Sequence, residues 1–384
     1  VTADTTLATA DDRFKMYVNG VQETSFASRT NPSQNADFLH FNSANAHKIG
    51  QRQASPANDL NFRGILSHYH FCDGYAYDAS AFGSTDSTTG EWKINTAPSV
   101  TYGNNGFFIL KDGNSVTDQS GNSNNFTVGG GTLTNTEDCP SNVFATLNAS
   151  QRSLSNSNNS GDYLYNGNNT FDTTSASTIK AVVNGTLGVS SGKWYWEYKV
   201  IDNARLYVGV GQENIQGFSS PYYDLTTYST IAMNLNGTIS GRNTGSAQDE
   251  YASGTSNTTN DIIGIALDMD NKALYIHKNG TYLSNGTAVG VPTSGSSRTG
   301  SLIEGLTGSR DDYFPTGEFI FPVVMDVSTS GTAKAEFNFG NGYFGTTAVS
   351  SNSGNGYSAT GSLGKFQYQP PTGYTALSTK GLNE

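Results

Sequence analysis

The chain has 384 residues, of which 35% are hydrophobic and only 14% charged, and 44 of them are glycine. That length and apolar content can bury two or three cores, while the scarce charge excludes the charge-rich make-up of a helical cytosolic enzyme. A net charge of −11 repels phosphate backbones and argues against nucleic-acid binding, and no apolar run of about 18 residues is present to span a membrane.

The aromatic residues are mostly tyrosine (21) and phenylalanine (20), which favour strands, so an all-β fold with long polar loops is expected. The first residues lack a basic n-region and an apolar h-region, so no signal peptide is visible. The chain starts at Val1 without an initiator Met and is expected to be processed or a fragment. Cys72 and Cys139 are too few and too far apart for a disulfide framework and are expected to be free thiols.

The first strong element is KMYVNGVQE, where Met16 and Val18 face one way and Asn19-Gly20 supplies a pair that tolerates positive φ, a hairpin signal. FLHFNS, HKIGQ and FRGILSHYHFCDG follow; Ile65, Ser67, Tyr69 and Phe71 alternate with Leu66, His68, His70 and Cys72. SAFGS, GEWKI, NGFFILKDG, DQSGNSNNFTV and GGGTLT read as short strands between Gly/Asn turns. Residues 136–174 are polar and thinly hydrophobic and are expected to form a connector.

A second β domain is expected over 175–348. SGKWYWEYKV places Trp194, Trp196, Tyr198 and Val200 on one face, and RLYVGVG, STIAMNLNG and DIIGIALDMD follow. ALYIHKNGTYL repeats the strand-then-Asn-Gly device at Asn279-Gly280. FIFPVVMDV and AKAEFNFGNGYF complete a strand set that suggests a β-sandwich. The tail, 349–384, ends in KFQYQPPTGYTALSTKGLNE and is expected to run extended along a neighbour. There is no sustained helical periodicity, coiled-coil heptad or strict repeat.

The ordered block GKWYWEYKV, LYVGVG, IIGIALDMDNKALYIHKNGTYL, FPVVMDV, AEFNFGNGYF, roughly 180–345, resembles a SPRY domain, a bent β-sandwich. It departs from that family at 286–318, a longer and more polar loop. RFKMYVNGVQE through HKIGQ, FRGILSHYHFCDGYAYDASAFG and GEWKI, with the DQSGNSNNF turn, resembles the C-terminal half of a laminin G-like, concanavalin A-like jelly roll spanning 1–135. The resemblance implies two jelly-roll-type modules, the first one incomplete in this chain. The order of modules, ending in PPTGYTAL, is similar to virion proteins of marine tailed bacteriophages, particularly tail-fibre or host-adhesion subunits.

Catalytic signals are weak. His68-x-His70 could pair on a strand face, but zinc needs further ligands that no Cys or carboxylate is placed to supply, and neither a G-x-S-x-G elbow nor an H-E-x-x-H helix is present. Glycosidases need two carboxylates about 5 to 10 Å apart. Concanavalin-like glucanases set two strand acids two residues apart, whereas Glu197 is flanked at that spacing by Tyr195 and Lys199, so Glu197 reads as a polar strand residue. Asp118, Asn122 and Asn125, and Asp268 with Asp270, could offer oxygens to calcium, but Asp and Asn are also standard tight-turn residues. No catalytic residue, metal site or cofactor is expected.

Ligand binding is the better reading, because loops on a rigid sandwich carry recognition. Three loops are candidates: GFSSPYYDLTTYS with Tyr222, Tyr223 and Tyr228; GRNTGSAQDEY with Arg242, Asp249 and Tyr251; and GSRDDYFPTGE with Arg310, Asp311, Asp312 and Tyr313. The tyrosines could equally pack these loops onto the sandwich. The resemblance implies a non-enzymatic virion appendage that recognises host-surface glycan or protein, binds other virion subunits and forms a homo-oligomer, with a trimer favoured. A structural decoration protein that binds only virion subunits is the alternative, and a glycan-active enzyme is a third that the missing acid pair disfavours.

Overall fold

The computed structural model describes residues 1–38, 43, 46–51, 62, 66–87, 90, 92–111, 115–130, 133, 137–138, 142–154, 163–174, 181–202, 204, 206–212, 230–234, 236–242, 249–326, 332–350 and 358–383. They form two units, one of Val1–Asn135 with Cys139–Ser141 and one of Thr136–Asp138 with Asn142–Glu384. Strands dominate both, in keeping with an all-β fold; the one α-helix among the described residues, α1 (Arg310–Tyr313), is a single turn.

In the first unit the described strands pair two by two, antiparallel: β1 (Thr2–Ala3) with β2 (Phe14–Lys15), β3 (Tyr17–Val18) with β4 (Val21–Gln22), β5 (Tyr69–Phe71) with β8 (Phe107–Ile109), and β6 (Gly83–Thr85) with β7 (Trp92–Ile94). The β3–β4 turn has Asn19 at φ 49° and Gly20 at φ 80°, both in the left-handed region that a two-residue hairpin turn of matching twist requires. The alternation expected over 65–72 is interrupted at His68, whose φ of +49° precedes the start of β5, and Tyr69 faces solvent.

His70 lies among aromatic rings, with its ring 3.9 Å from that of Phe108 and its Nδ1 2.8 Å from Tyr102 Oη. Burial, and secondarily the His68 charge, lowers its pKa to about 4. Cys72 is a free thiol; Cys139 lies outside the described residues. In the DQSGNSNN turn Asp118 accepts the backbone N–H groups of Phe108, Ser120 and Asn124 and the Ser120 hydroxyl. Both carboxylate oxygens therefore organise the loop itself, as an Asx turn does.

The second unit is a sandwich of two sheets. One runs in the order β10 (Leu164–Tyr165), β11 (Thr170–Asp172), β22 (Lys334–Asn338), β13 (Lys193–Asp202), β18 (Ile262–Asp268), β19 (Ala273–Lys278), β20 (Thr281–Tyr282), with β25 (Thr375–Ala376) alongside β13. The other runs β17 (Asp249–Ala252), β16 (Thr238–Arg242), β15 (Thr230–Met233), β14 (Leu206–Gln212), β21 (Ile320–Asp326), β12 (Ala181–Gly185), β9 (Leu147–Leu154). Every neighbouring pair is antiparallel except β13–β25, and a small hairpin, β23 (Tyr343–Phe344) with β24 (Thr347–Ala348), stands apart. Trp196, Tyr198, Ile265, Phe337, Val183, Val208 and Val210 share one core between the sheets, as the period-two pattern of the strands requires.

Two expectations about domain limits are revised. The stretch 136–174, expected as a connector, contributes β9 and β10 as edge strands and β11 beside β10; its Phe144, Leu147, Tyr163 and Phe171 are buried in the core. The tail folds back on its own unit: Ala359, Leu363, Phe366, Tyr374, Ala376 and Leu377 are buried in the same core. The β19–β20 turn repeats the first hairpin, with Asn279 at φ 50° and Gly280 at φ 86°, and the Asn279 amide donates to Asp261 at 2.8 Å.

Candidate functional site

The structure joins two of the three candidate loops. Asp249, on β17, accepts the backbone N–H of Thr307 and stands 3.4 Å from Tyr313 Oη, while Tyr251 Oη donates to Leu302 O at 2.9 Å. The 302–313 segment is thereby tied to the edge of the seven-stranded sheet. Tyr313 is 2% exposed and packs in the core, because α1 turns it inward; its ring is not displayed. Asp312 forms a capping box with Ser309, each accepting the other's backbone N–H. Asp311 pairs with Lys272, and Arg310 points its Nε at Glu304 Oε1, 2.7 Å away. Tyr222, Tyr223 and Tyr228 lie outside the described residues; Arg242 closes β16, and its side chain is likewise outside them.

A second set of polar residues is buried on the other face of the eight-stranded sheet, under the C-terminal segment, where sequence reasoning did not place it. Across neighbouring strands Asn338 is in register with Glu197, Glu197 with Gly264, and Gly264 with His277, so all four address one face of the sheet. Gly264 leaves the gap through which His277 reaches back: a Cβ there would sit 2.0 Å from His277 Nε2. Tyr195, two residues before Glu197 and so on the same face, bridges the pair, its hydroxyl 2.7 Å from His277 Nε2 and 2.9 Å from Glu197 Oε1.

The hydrogen-bond directions are fixed by the chemistry of the partners. Gly280 N–H donates to His277 Nδ1 at 3.2 Å, so Nδ1 is an acceptor and the proton sits on Nε2. Nε2–H donates to Tyr195 Oη, and Tyr195 O–H donates to Glu197. Glu197 also accepts from Tyr368 N–H on Oε1 at 2.8 Å, and from Gln367 N–H at 2.8 Å and Asn338 Nδ2 at 3.3 Å on Oε2. Asn338 Oδ1 in turn accepts the N–H groups of Gly340 and Gly342, which explains the Asn of NFGNGYF.

Glu197 is 0% exposed. Burial pushes its pKa up to about 7, and its four donors oppose the shift without cancelling it. His277, 1% exposed, is lowered to about 3 by burial. A carboxylate and an imidazole joined through a tyrosine resemble a proton relay, but each acceptor is already occupied by protein and the group has no path to solvent. Its work is to hold 365–368 against β13. NMR of the imidazole ring should therefore find His277 neutral, with the proton on Nε2, from neutral pH down to about 3; a titration midpoint near 6.5 would contradict this network.

A family model of the SPRY domain matches residues 193–297, which spans β13 through the β19–β20 hairpin and into the loop beyond. The match falls within the second unit and is to an all-β module of the jelly-roll, concanavalin-like kind. Among solved structures, the SPRY domain of human HERC1 is similar at 20% identity, over 41% of this chain and 81% of that one, with a TM-score of 0.27. The TRIM65 PSpry domain is similar at 13% identity, over 41% of this chain and 67% of that one, with the same TM-score of 0.27. No curated protein sequence matches the chain. SPRY domains are generally interaction modules without enzymatic activity.

Proposed function

We propose that the protein is a non-enzymatic recognition subunit of a virion, a tail-fibre-like appendage whose SPRY unit presents loops to a host-surface glycan or protein. The observation that carries the recognition role is the SPRY match over 193–297. It is supported by the tying of 302–313 to β17, which holds a polar loop on a rigid sandwich, the arrangement in which binding residues are positioned. The buried state of Glu197 and His277 supports a non-catalytic role, because the two groups best suited to acid–base chemistry are sealed from any substrate.

The virion setting rests on the sequence resemblance to marine tailed-phage adhesion subunits, as do a homotrimeric assembly, binding to other virion subunits and a place on the particle surface. Purified protein should bind susceptible cells saturably and block infection by the particle that carries it. Absence of saturable binding, together with particles that adsorb normally but break easily when the protein is missing, would favour the decoration role instead.

A further inference from the structure

Glu304 sits on a short 3-10 turn, Leu302–Gly305, anchored by the buried side chains of Leu302 and Ile303. Its Oε1 receives Arg298 Nε at 3.2 Å and Arg310 Nε at 2.7 Å, so the two guanidinium groups lie within about 6 Å of each other. One carboxylate compensates one arginine. The second positive charge has no counter-charge within the trio, and the Nη donors of both arginines make no bond in the described structure. Neither side chain is sealed: Arg298 is 24% exposed and Arg310 40%.

Both arginines are held in place independently of any ligand. Arg310 opens α1, which is fixed by the Ser309–Asp312 capping box and by the buried ring of Tyr313. Arg298 is in the left-handed region at φ 46°, a strained backbone for a side chain of this kind. Its N–H bonds Gly295 O and its carbonyl accepts Ser301 N–H, at 3.0 and 2.9 Å. Two like charges held side by side on fixed backbone share the single carboxylate of Glu304, and their outward donors are placed to bond a second anion.

We infer that Arg298 and Arg310, ordered by Glu304, form a subsite for a single carboxylate carried on a hydroxyl-rich sugar, as in a uronic-acid glycan. The surroundings select that class over a dense polyanion. Asp311 and Asp312 are exposed beside Arg310, and Ser296, Ser297 and Thr299 are exposed beside Arg298. The acids repel a run of negative charges, as does a chain of net charge −11, while the Ser296, Ser297 and Thr299 hydroxyls can bond the hydroxyls of a sugar. The inference rests on the recognition role proposed above and names the ligand chemistry of the 286–318 loop.

Titration of the full chain with an oligouronate that keeps a single free carboxylate, its fully carboxyl-reduced neutral counterpart and oligoglutamate tests it. The oligouronate should bind at least about tenfold more tightly than either of the others, the loss expected when a charge-assisted pair is removed. Arg298→Gln with Arg310→Gln should abolish the preference with an unchanged melting curve. If that variant unfolds, Arg298→Lys and Arg310→Lys should each weaken binding, since lysine lacks the planar fork. Equal binding of the oligouronate and its reduced form, tighter binding of oligoglutamate, or full binding by the folded arginine variants overturns the inference. If none of the three binds while the protein still adsorbs to susceptible cells, the subsite is refuted and the recognition role stands. Oligouronate binding without any cell adsorption refutes the recognition role and leaves the subsite intact.

Discussion

Replacing Glu197 with alanine should lower the unfolding free energy of the second unit by about 4 kcal/mol or more, among the largest single-residue effects in the chain. Four donors converge on this carboxylate: Tyr195 Oη, Asn338 Nδ2, and the backbone N–H groups of Gln367 and Tyr368. Asn338 Nδ2 keeps the Lys365 carbonyl at 2.9 Å, but the other three lose their acceptor, and each buried orphan costs on the order of 1 kcal/mol or more. Glu197→Gln keeps the shape but turns one oxygen into a donor facing donors, so it should fall between alanine and wild type. Hydrogen exchange should show where the damage lies: the amides of Gln367 and Tyr368 lose protection first, because they bond directly to the missing group.

The pH dependence gives the same experiment a second readout. The folded-state pKa of Glu197 is about 7, above its ordinary value of 4.5, so the folded protein holds a proton that the unfolded chain has released between those values. The associated stability is fully present below about pH 4.5 and is lost as pH rises through about 7. His277 works in the opposite sense: its pKa is lowered from 6.5 to about 3, so its contribution is present above 6.5 and is lost as pH falls through 3. Between about 4.5 and 6.5 the two slopes oppose each other. Glu197→Gln should remove the falling slope and leave the rising one from His277. The gap between wild type and variant should shrink by about 3 kcal/mol from pH 4.5 to pH 7.5. A gap independent of pH would mean that Glu197 carries the same charge folded and unfolded.

Parts of this arrangement can be read from sequence, and the boundary has a physical origin. Both Asn-Gly hairpins are legible, because positive φ at two successive residues limits the choice of side chain to very few. The strand order of the second unit is legible through WYWE, LDMD and NFG, which is where close packing fixes residue identity. The role of Glu197 is not legible. Alternation along KWYWEYKV assigns Tyr195 and Glu197 to an open face, yet residues 194 to 198 are all buried because Phe366 and its neighbours cover that face from about 170 positions away. No local pattern carries such a contact. The same limit applies to Arg298, Glu304 and Arg310, whose spacing in a loop without periodicity gives no sign of convergence, and to Tyr313, which in sequence looks like any other loop tyrosine.

Deleting residues 359–384 should abolish cooperative unfolding of the second unit altogether. The segment is not an appendage. Phe366, Tyr374, Ala376 and Leu377 are each 0% exposed, and Leu363 and Ala359 add to the same core. Burial of each large side chain is worth roughly 2 kcal/mol, which for Phe366, Tyr374, Leu377 and Leu363 together is comparable to the whole stability of a domain of this kind, about 5–15 kcal/mol. Polar ties are lost as well. Tyr374 Oη donates to Pro292 O at 3.1 Å, Ala145 N–H to Leu377 O at 2.9 Å, and Lys365 N–H to Gly340 O at 2.9 Å. The parallel pairing of Thr375 and Ala376 with Trp194 and Tyr195 fills the sheet position beside the first half of β13 that β22 leaves vacant. Removing it exposes a strand edge next to bare tryptophan and tyrosine, a combination that favours aggregation. Phe366→Ala is the milder companion, with an expected loss of about 3–5 kcal/mol and the packing on Tyr195, 5.0 Å away ring to ring, as its cause. A truncated chain that still melts in one sharp transition near the wild-type temperature would show that the sandwich closes without its C-terminal segment.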